Sequence, residues 1–348
     1  MVLFYRETVQ LPLVLAFIFA CYCFGVDSRA VKGQKNADCG FQVNTIVVDG
    51  YGQGNYMKIQ EAVDSIPPGN SQWIIIQLNP GTYKEKVNIT SDKPCIVLQG
   101  YDRYNTSIEW NEGTMDDPFY TAGFTSNAEN FVAKNITFKN TYNLEVQGLP
   151  IAKAVAAAII GDKSSFYDCS FIGVQDTLAD QSGRHYFRNC HIEGAMDFIF
   201  GNGQSIYEDC EILVQPYPDP VNVVKSVITA QERDNEEQTT GFVFKSGKLN
   251  GVQNPPTLLG RALTIFSTVL FTNMNFSSDG LVNITSERWD NMGLGVTGIV
   301  YAEANNTGSG ADIRSDAVTS EKNLSAEQWN YYTDISFIDQ DQWLGRQP

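Results

Sequence analysis

Two aspartates, 21 residues apart, are the side chains of this sequence whose types and spacing could do chemistry together. Asp197 lies in GAMDFIFGNG (194–203), where apolar residues flank it on both sides. A carboxylate in such surroundings needs a partner, because taking an unpaired charge out of water is costly. Asp176 lies in VQDTLAD (174–180), at the equivalent place one repeat earlier. If the repeats stack as parallel strands, the two carboxylates come within about 5 Å of each other.

Two carboxylates at that separation cannot both ionise freely, so the pKa of one of them should rise. One then serves as a proton donor while the other stays an anion, which is the division of roles that acid–base and nucleophilic catalysis need. A separation of about 5 Å would equally suit a retaining glycosidase. Asp176 taken alone could instead be a turn-forming residue that caps backbone groups. The apolar neighbours of Asp197 favour a functional pair.

Arg261, in LLGRAL (258–263), is the best candidate for the positive partner of Asp197, because it interrupts a strand-like apolar stretch. It follows Asp197 by 64 residues, which is close to three repeats of 21. A guanidinium group can pair with a carboxylate in bidentate fashion and keep it ionised. The residues by themselves therefore indicate a site of an acid, an anion and an arginine, and leave open which bond it breaks.

The strands that must position this site follow from a short repeat. Each copy reads Asn or Asp, then Cys, Ile or Met, then a small or polar residue, then Phe or Ile; the copies begin at Asn135, Asp168, Asn189, Asp209 and Asn273. The central spacings are 21 and 20 residues, the first gap of 33 allows one coil and a loop, and the last gap of 64 approximates three coils. The strands are too close together for intervening helices. The pattern predicts an all-β fold, a right-handed parallel β-helix.

The second residue of each copy should point inward and form a ladder, which includes Cys169, Cys190 and Cys210. For these cysteines, packing in the core and disulfide formation are equally open interpretations.

A short helix should close the N-terminal end of the solenoid, where strand edges would otherwise be exposed. Apolar residues recur at helical spacing in NYMKIQEAVDSIPPGN, and Pro67 and Pro68 end the pattern. An acidic stretch from 305 to 328 is typical of a surface excursion before a final aromatic segment, 329–343.

Composition limits the partners of this chain. Asp and Glu outnumber Lys and Arg by 40 to 24, which gives a net charge of -16. That charge disfavours nucleic acid, anionic membrane surfaces and fully ionised polyanions as ligands. The two histidines, His185 and His191, have no carboxylate motif around them and are interpreted as structural, and there is no G-x-S-x-G motif. Neither histidine is interpreted as a metal ligand.

The N-terminus is typical of a secretory signal, because Arg6 precedes an apolar run from 11 to 26. The alternative, a membrane anchor, is disfavoured by Pro12 and by the short apolar core. We expect a signal peptide at 1–26, a short linker at 27–38 and a β-helix domain at 39–348, secreted and free of the membrane after cleavage.

Secretion changes the interpretation of the cysteines. Five remain after the signal, so that one or two disulfides can form and a thiol is left over. Seven glycosylation sequons agree with a secretory route; they lie at Asn88, Asn105, Asn135, Asn275, Asn283, Asn305 and Asn323.

Four motifs carry a family resemblance. GTYKEKV (81–87), VQDTLAD (174–180), GAMDFIFG (194–201) and LLGRAL (258–263) stand in the order and spacing of the plant pectinesterases. The resemblance extends over residues 40–345 and implies a right-handed parallel β-helix that removes methyl esters from homogalacturonan in the plant cell wall, without a cofactor. The short linker leaves no room for the inhibitor-like pro-region that some family members carry.

The resemblance also implies roles for single residues. Asp197 matches the nucleophile that attacks the ester carbonyl, and Asp176 matches the acid that protonates methanol and then activates water as a base. Gln175 matches a stabiliser of the oxyanion. Arg261 matches the arginine that orients the nucleophile, and Phe200 matches an aromatic wall of the substrate cleft.

At four positions in or near these motifs, the sequence has a residue that differs from the one usual in the family. Lys153 stands where the family usually has a glutamine of the oxyanion hole; its ammonium could stabilise the oxyanion, pair with either aspartate, or point outward. Ala179 replaces a tyrosine and Leu263 replaces a tryptophan, so that two stacking surfaces for sugars are missing. Glu232 stands where the family tends to have glycine.

Three functions follow as hypotheses. The first is a monomeric, secreted pectinesterase of reduced or altered activity. The second is a wall protein that binds pectin or a proteinaceous pectinesterase inhibitor without turnover, motivated by Lys153, Ala179 and Leu263. The third, a polygalacturonan hydrolase or lyase on the same fold, would shorten the polymer chain.

Overall fold

The computed structural model describes residues 39–145, 151–218, 224–276, 282–311 and 321–348. All of them belong to one compact unit that runs from Ala37 to Pro348. The predicted signal peptide (1–26) and linker (27–38) lie outside the described residues. Within the described ranges, no helix is long and apolar enough to cross a membrane.

In this part of the chain the strands form three parallel sheets of ten, nine and eight strands, and each turn of the chain adds about one strand to each sheet. The predicted all-β, right-handed parallel β-helix is thereby confirmed. The ten-stranded sheet contains Gly40–Val48, Gln72–Leu78, Ile96–Gln99, Phe131–Lys134, Ser164–Tyr167, Arg184–Arg188, Gln204–Glu208, Gly241–Lys245, Thr268–Thr272 and Val300–Ala304. The nine-stranded sheet contains Val87–Ile89, Phe124–Ser126, Ala157–Ile159, Leu178–Asp180, Met196–Gly201, Ser226–Gln231, Pro256–Ala262, Asn283–Ile284 and Trp289–Asp290. The eight-stranded sheet contains Gly81–Tyr83, Thr106–Trp110, Thr137–Asn140, Ser170–Ile172, His191–Gly194, Glu211–Val214, Lys248–Gly251 and Asn275–Phe276.

The repeat works because its first residue turns the chain. The Asn or Asp at the head of each copy has a left-handed backbone, with φ between 52° and 60°, which these two residue types tolerate better than most. This turn leads from the ten-stranded into the eight-stranded sheet. The next residue is then buried in the core, as the ladder predicts.

The structure decides between core packing and disulfide formation for the cysteines of the inward ladder. Cys169, Cys190 and Cys210 are free thiols buried in the core, so the packing interpretation is correct for them. Cys39 and Cys95 form a disulfide, with their Cα atoms 5.7 Å apart, which ties the first strand to a later coil.

The prediction of three coils between Asp209 and Asn273 is wrong, because the chain makes two. The strand Lys248–Gly251 lies directly between Glu211–Val214 and Asn275–Phe276. Ser246 holds the left-handed turn position of that coil, with φ 60°, so a search for Asn or Asp misses it. Only the strands of a solenoid must keep register, so extra residues in the loops lengthen a coil without adding one. Arg261 is accordingly two coils beyond Asp197, and not three.

Short helices cover parts of the solenoid that the strands leave exposed. The predicted capping helix forms at Ile59–Asp64, and its side chains Ile59, Ala62 and Val63 are buried in the same core as the strands. The other helices are Tyr142–Glu145, Ala326–Thr333 and Ser336–Asp339, with 3-10 turns at Pro118–Thr121 and Leu344–Arg346.

The aromatic C-terminal segment covers the outer face of the ten-stranded sheet. Phe337, Ile338 and Trp343 are buried there against apolar side chains that the sheet presents outward, among them Ile206 and Leu270. The ten-stranded sheet is therefore packed on both faces along much of its length.

A buried ion pair near the C-terminal end of the solenoid gives a stability prediction. Arg288 forms a two-pronged hydrogen-bonded pair with Glu303, and both side chains are fully buried. We expect Arg288→Met to lower the free energy of unfolding by about 3–5 kcal/mol, because Glu303 would keep its charge without this partner. Urea unfolding measures the change. Arg288→Met/Glu303→Gln should recover part of the loss, and a single variant as stable as the wild type would contradict the prediction.

Candidate active site

The outer face of the nine-stranded sheet presents one row of side chains, one from each coil. Strand register aligns Thr125, Ala158, Ala179, Phe200, Ala230 and Arg261 in this row. Neighbouring residues such as Leu178 and Ile199 point into the core, so the row faces outward by the alternation of a strand. Asp176 precedes the strand Leu178–Asp180 of this sheet by two residues. Asp197 lies within the strand Met196–Gly201.

Asp176 and Asp197 lie on adjacent coils, since the backbone N–H of Asp176 donates to the Met196 carbonyl at 3.0 Å. Each residue is only 7% exposed. Both have a left-handed backbone, with φ 61° and 48°, a conformation that Asp and Asn accept at modest cost. The register of Met196–Gly201 shifts between Met196 and Ile199, which takes Asp197 out of the regular ladder.

Arg261 Nη2 forms an ion pair with Asp197 Oδ2. The other carboxylate oxygen, Oδ1, is buried and has no hydrogen-bond partner among the described residues; the same is true of Arg261 Nε. One oxygen of Asp197 is therefore fixed, and the second is left available for chemistry.

The two carboxyl groups differ in what surrounds them. Burial and the neighbouring Asp197 charge raise the pKa of Asp176 to about 7, although Lys153 and Arg261 oppose the rise. Burial also raises the pKa of Asp197, but there the guanidinium of Arg261 is the main opposing influence, and it makes direct contact. The direct contact with Arg261 therefore favours the ionised form of Asp197, whereas Asp176, without such a contact, retains a proton more readily.

Gln175 and Lys153 flank the pair. The Tyr217 hydroxyl donates to Gln175 Oε1 at 3.4 Å, which aims the amide NH₂ away from Tyr217. Lys153 Nζ donates to the Asp116 carbonyl at 3.0 Å, and its charge lowers the pKa of both aspartates. This electrostatic reach argues against the outward-pointing interpretation of Lys153, and the other two interpretations, stabilising the oxyanion and pairing with an aspartate, stay predictions.

Phe200 lies in the outward row but is mostly covered, because the Phe119 ring packs 6.1 Å from it. Ala179 is completely buried in the same cluster. The position where the family resemblance implies a missing tyrosine is therefore not an open gap. Nothing in the sequence pattern points to Phe119 or Tyr217, which come from loops outside the repeat.

Leu263 follows the row and is 43% exposed. On the coil before it, Glu232 accepts a hydrogen bond of 2.9 Å from Gln181 Nε2. Leu263 and Glu232 each follow a member of the outward row, Arg261 and Ala230, by two residues.

The two histidines lie elsewhere, and both contact carboxylates that no sequence motif around them indicates. His185 Nδ1 is 2.5 Å from Asp180 Oδ1 inside the core, where the Tyr207 hydroxyl donates to the other oxygen of Asp180 at 2.6 Å. His191 contacts Glu193 and Glu211 on the eight-stranded sheet. In the part of the chain that the structure describes, no group of three or more His, Cys, Asp or Glu is placed to hold a metal ion.

The outer face of this parallel β-helix thus carries two neighbouring buried carboxyl groups, one with a pKa of about 7 and one paired with an arginine, an arrangement that suits the class of hydrolases that use a pair of carboxylates. The comparisons with known proteins narrow this class. The family model "Pectinesterase" matches residues 45–341. "Probable pectinesterase 55" of Arabidopsis thaliana is 40% identical over 306 residues, covering 86% of this chain and 89% of that protein.

Solved structures agree. Pectin methylesterase from carrot is 30% identical with a TM-score of 0.78, over 86% of this chain and 94% of that one. A pectin methylesterase in complex with a hexasaccharide is 22% identical with a TM-score of 0.68, over 86% and 98% of the two chains, which supports the fold alone. The chain belongs to the pectinesterase family, and the resemblance drawn from its motifs is confirmed.

Proposed function

We propose that this protein hydrolyses the methyl esters of homogalacturonan and releases methanol, with Asp197 as the nucleophile and Asp176 as the acid and base. One observation carries the proposal: Arg261 holds one oxygen of Asp197, the other oxygen is unpartnered among the described residues, and a carboxyl group with a pKa of about 7 lies on the adjacent coil. An esterase of this kind needs a fixed anion beside a group that can give and then take back a proton.

In the first half of the reaction, Asp197 Oδ1 attacks the carbonyl carbon of the ester, and the carbonyl electrons move onto its oxygen. When the carbonyl re-forms, the bond to the methoxy oxygen breaks, and Asp176 gives its proton to that oxygen. Methanol leaves, and the galacturonate acyl group stays bound to Asp197 as an anhydride. Asp176 is then an anion.

In the second half, Asp176 takes a proton from a water molecule while the water oxygen attacks the acyl carbon. The bond to Asp197 breaks, so the Asp197 carboxylate and the proton on Asp176 are both restored. The product leaves as the carboxylic acid of galacturonate, which then loses its remaining proton to water and becomes a carboxylate. The negative charge of the chain, -16, favours release of this product over rebinding.

Gln175 and Lys153 are proposed to stabilise the oxyanion of both steps. The amide NH₂ of Gln175 is a donor next to Asp176, and the Lys153 ammonium supplies a positive charge to the same site. Phe200 and Leu263 are proposed to contact the sugar rings. Leu263 offers a smaller apolar surface than an aromatic residue would, so sugar affinity at this position should be low.

The role of Lys153 gives a prediction with two readouts. We expect Lys153→Met to lower kcat by about 10- to 100-fold, because a charge near the oxyanion is lost. It should also shift the alkaline limit of kcat/KM to higher pH, because the lysine no longer lowers the pKa of Asp176. Steady-state methanol release as a function of pH measures both. Lys153→Gln keeps a donor and should lose less activity; a lower kcat with an unmoved pH limit would indicate a structural role only.

We also propose that the protein acts outside the cell, in the plant cell wall, after removal of residues 1–26. The Cys39–Cys95 disulfide supports an oxidising compartment. Several sequon asparagines, including Asn88, Asn283 and Asn323, are exposed and accessible to glycosylation. A monomer is proposed, with a proteinaceous pectinesterase inhibitor as a second partner.

Methanol release from highly methylated homogalacturonan by the purified protein tests the function, with polymer length followed in the same samples. We expect methanol to appear while the polymer length stays constant. Shortened polymer would favour a polygalacturonan hydrolase or lyase. Binding of the polymer with methanol at the background rate would favour the alternative, a wall protein that binds pectin without turnover.

A further inference from the structure

A carboxylate lies on the outer face of the nine-stranded sheet, between the coil of Asp197 and the coil of Arg261. The backbone N–H of Glu232 donates to the Gly201 carbonyl at 3.0 Å, and the N–H of Leu263 donates to the Gln231 carbonyl at 3.3 Å. These bonds extend the ladder of the sheet by one residue. Since Gln231 and Ala262 point inward and are buried, the residues that follow them point outward.

The Glu232 side chain is held in place. Gln181, two coils earlier, donates its amide N–H to Glu232 Oε1 at 2.9 Å. The other atom of that amide, Oε1, is buried and without a partner among the described residues, so the bond to Glu232 fixes the orientation of the amide. Burial raises the pKa of Glu232, and Asp234 adds to the rise, while Gln181 opposes it. This carboxylate is partly shielded from water and does not swing freely.

Glu232 lies beyond the outward row that contains Phe200 and Ala230, whereas Asp197 lies before that row along the same face. It follows Ala230 of the outward row by two residues, a distance of about 7 Å along a strand. A polymer that binds along this face with one ester at Asp197, and continues past the row, brings another of its sugars to Glu232. In homogalacturonan that sugar carries either a neutral methyl ester or a negatively charged carboxylate.

We propose that Glu232, held by Gln181, is a specificity-determining residue that favours a methyl-esterified sugar over a free galacturonate at the place on this face where it meets the polymer. This proposal rests on the function proposed above and names the pattern of substrate that the site accepts. A fixed carboxylate repels a second carboxylate and leaves a neutral ester unaffected. Hydrolysis would therefore be slower when the sugar that reaches Glu232 has already lost its methyl group.

Binding measurements test this in an Asp176→Asn background. Asparagine imitates the protonated form of Asp176, slows turnover and leaves the ion pair between Arg261 and Asp197 intact. The probes are hexagalacturonate and its fully methyl-esterified form, titrated calorimetrically at about pH 8, where carboxylates are ionised. Adding Glu232→Gln should tighten binding of hexagalacturonate by about tenfold and change binding of the ester by less than about twofold.

Glu237→Gln is the matched control, because Glu237 is an exposed glutamate of the same loop and its loss changes the net charge equally. Equal effects of the two substitutions would overturn the proposal, as would an unchanged preference or a failure of both hexamers to bind. The measurement needs no turnover. A wild-type protein that shows the preference but releases no methanol would overturn the proposed reaction and leave the selectivity of Glu232 standing.

Discussion

Asp197→Asn is expected to bring methanol release down to background, with a fall in kcat of about 10⁴-fold or more, as when other enzymes lose their nucleophile. The amide has the shape of the carboxylate but is a poor nucleophile, and it cannot keep the ion pair with Arg261. Asparagine is preferred to alanine for this test because position 197 has a left-handed backbone, with φ 48°, which asparagine tolerates. Methanol release from highly methylated homogalacturonan is the measurement.

The chain supplies a matched control in Asp209. This residue also has a left-handed backbone, with φ 55°, but it is an exposed member of the repeat outside the site. Asp209→Asn should leave kcat within about twofold of the wild type, as is usual for a surface change away from the site. If the wild type and Asp197→Asn release methanol at the same rate, Asp197 is not the nucleophile, and the binding function gains support.

Asp176→Asn is expected to move activity and stability in opposite directions. Methanol release should fall by about 10²- to 10⁴-fold, the usual contribution of an acid or base in the transition state. The free energy of unfolding at about pH 8 should rise by on the order of 3 kcal/mol, because the variant no longer has to bury an ionised Asp176. Urea unfolding of both proteins at acidic and alkaline pH measures the second effect.

The sign follows from where the proton binds more tightly. The pKa of Asp176 is about 7 in the folded protein, against an ordinary value of 3.8. Between these values the folded state holds more protons than the unfolded state, so Asp176 makes the wild type lose stability as the pH rises from about 4 to about 7. Above that window the loss is complete. The asparagine of the variant does not titrate, so the variant gains nothing near pH 4 and gains the full difference near pH 8.

The same pKa sets the pH dependence of the reaction. Attack by Asp197 needs a protonated Asp176, so kcat/KM of the wild type should decline above about pH 7. Equal stabilisation of Asp176→Asn at both ends of the pH range would mean that Asp176 has an ordinary pKa in the folded protein, and it would remove the basis for its role as the acid.

The sequence by itself determined the type of fold, because a β-helix depends on local requirements that recur in every coil. The head residue of each repeat must tolerate a left-handed turn, and the next one must fit the core. Asn135 and Cys169 meet these two requirements, and one such coil predicts the next. The placement of Asp176 and Asp197 on adjacent coils follows in the same way, because both stand at one position of the repeat.

Only the tertiary structure decided how many coils separate the aspartate pair from the residues that contact it. Loops of a solenoid vary in length at little cost to the stack, so 64 residues between Asp197 and Arg261 make two coils, where the spacing had indicated three. The register of the strands, and not the residue count, brings the guanidinium to the carboxylate. Glu303 likewise meets Arg288 in the core through the stacking of the coils, without a spacing that predicts the pair.

The contacts that loops make with the site were also beyond reach of the sequence. Phe119 packs against the cluster that contains Ala179 and Phe200, the Tyr217 hydroxyl donates to Gln175, and Gln181 reaches across two coils to Glu232. Loops follow no repeat, and their side chains are placed by the outer face on which they pack. The sequence thus determined the pair of carboxylates and the scaffold that carries it, whereas only the folded chain decided which charged and polar groups surround the pair.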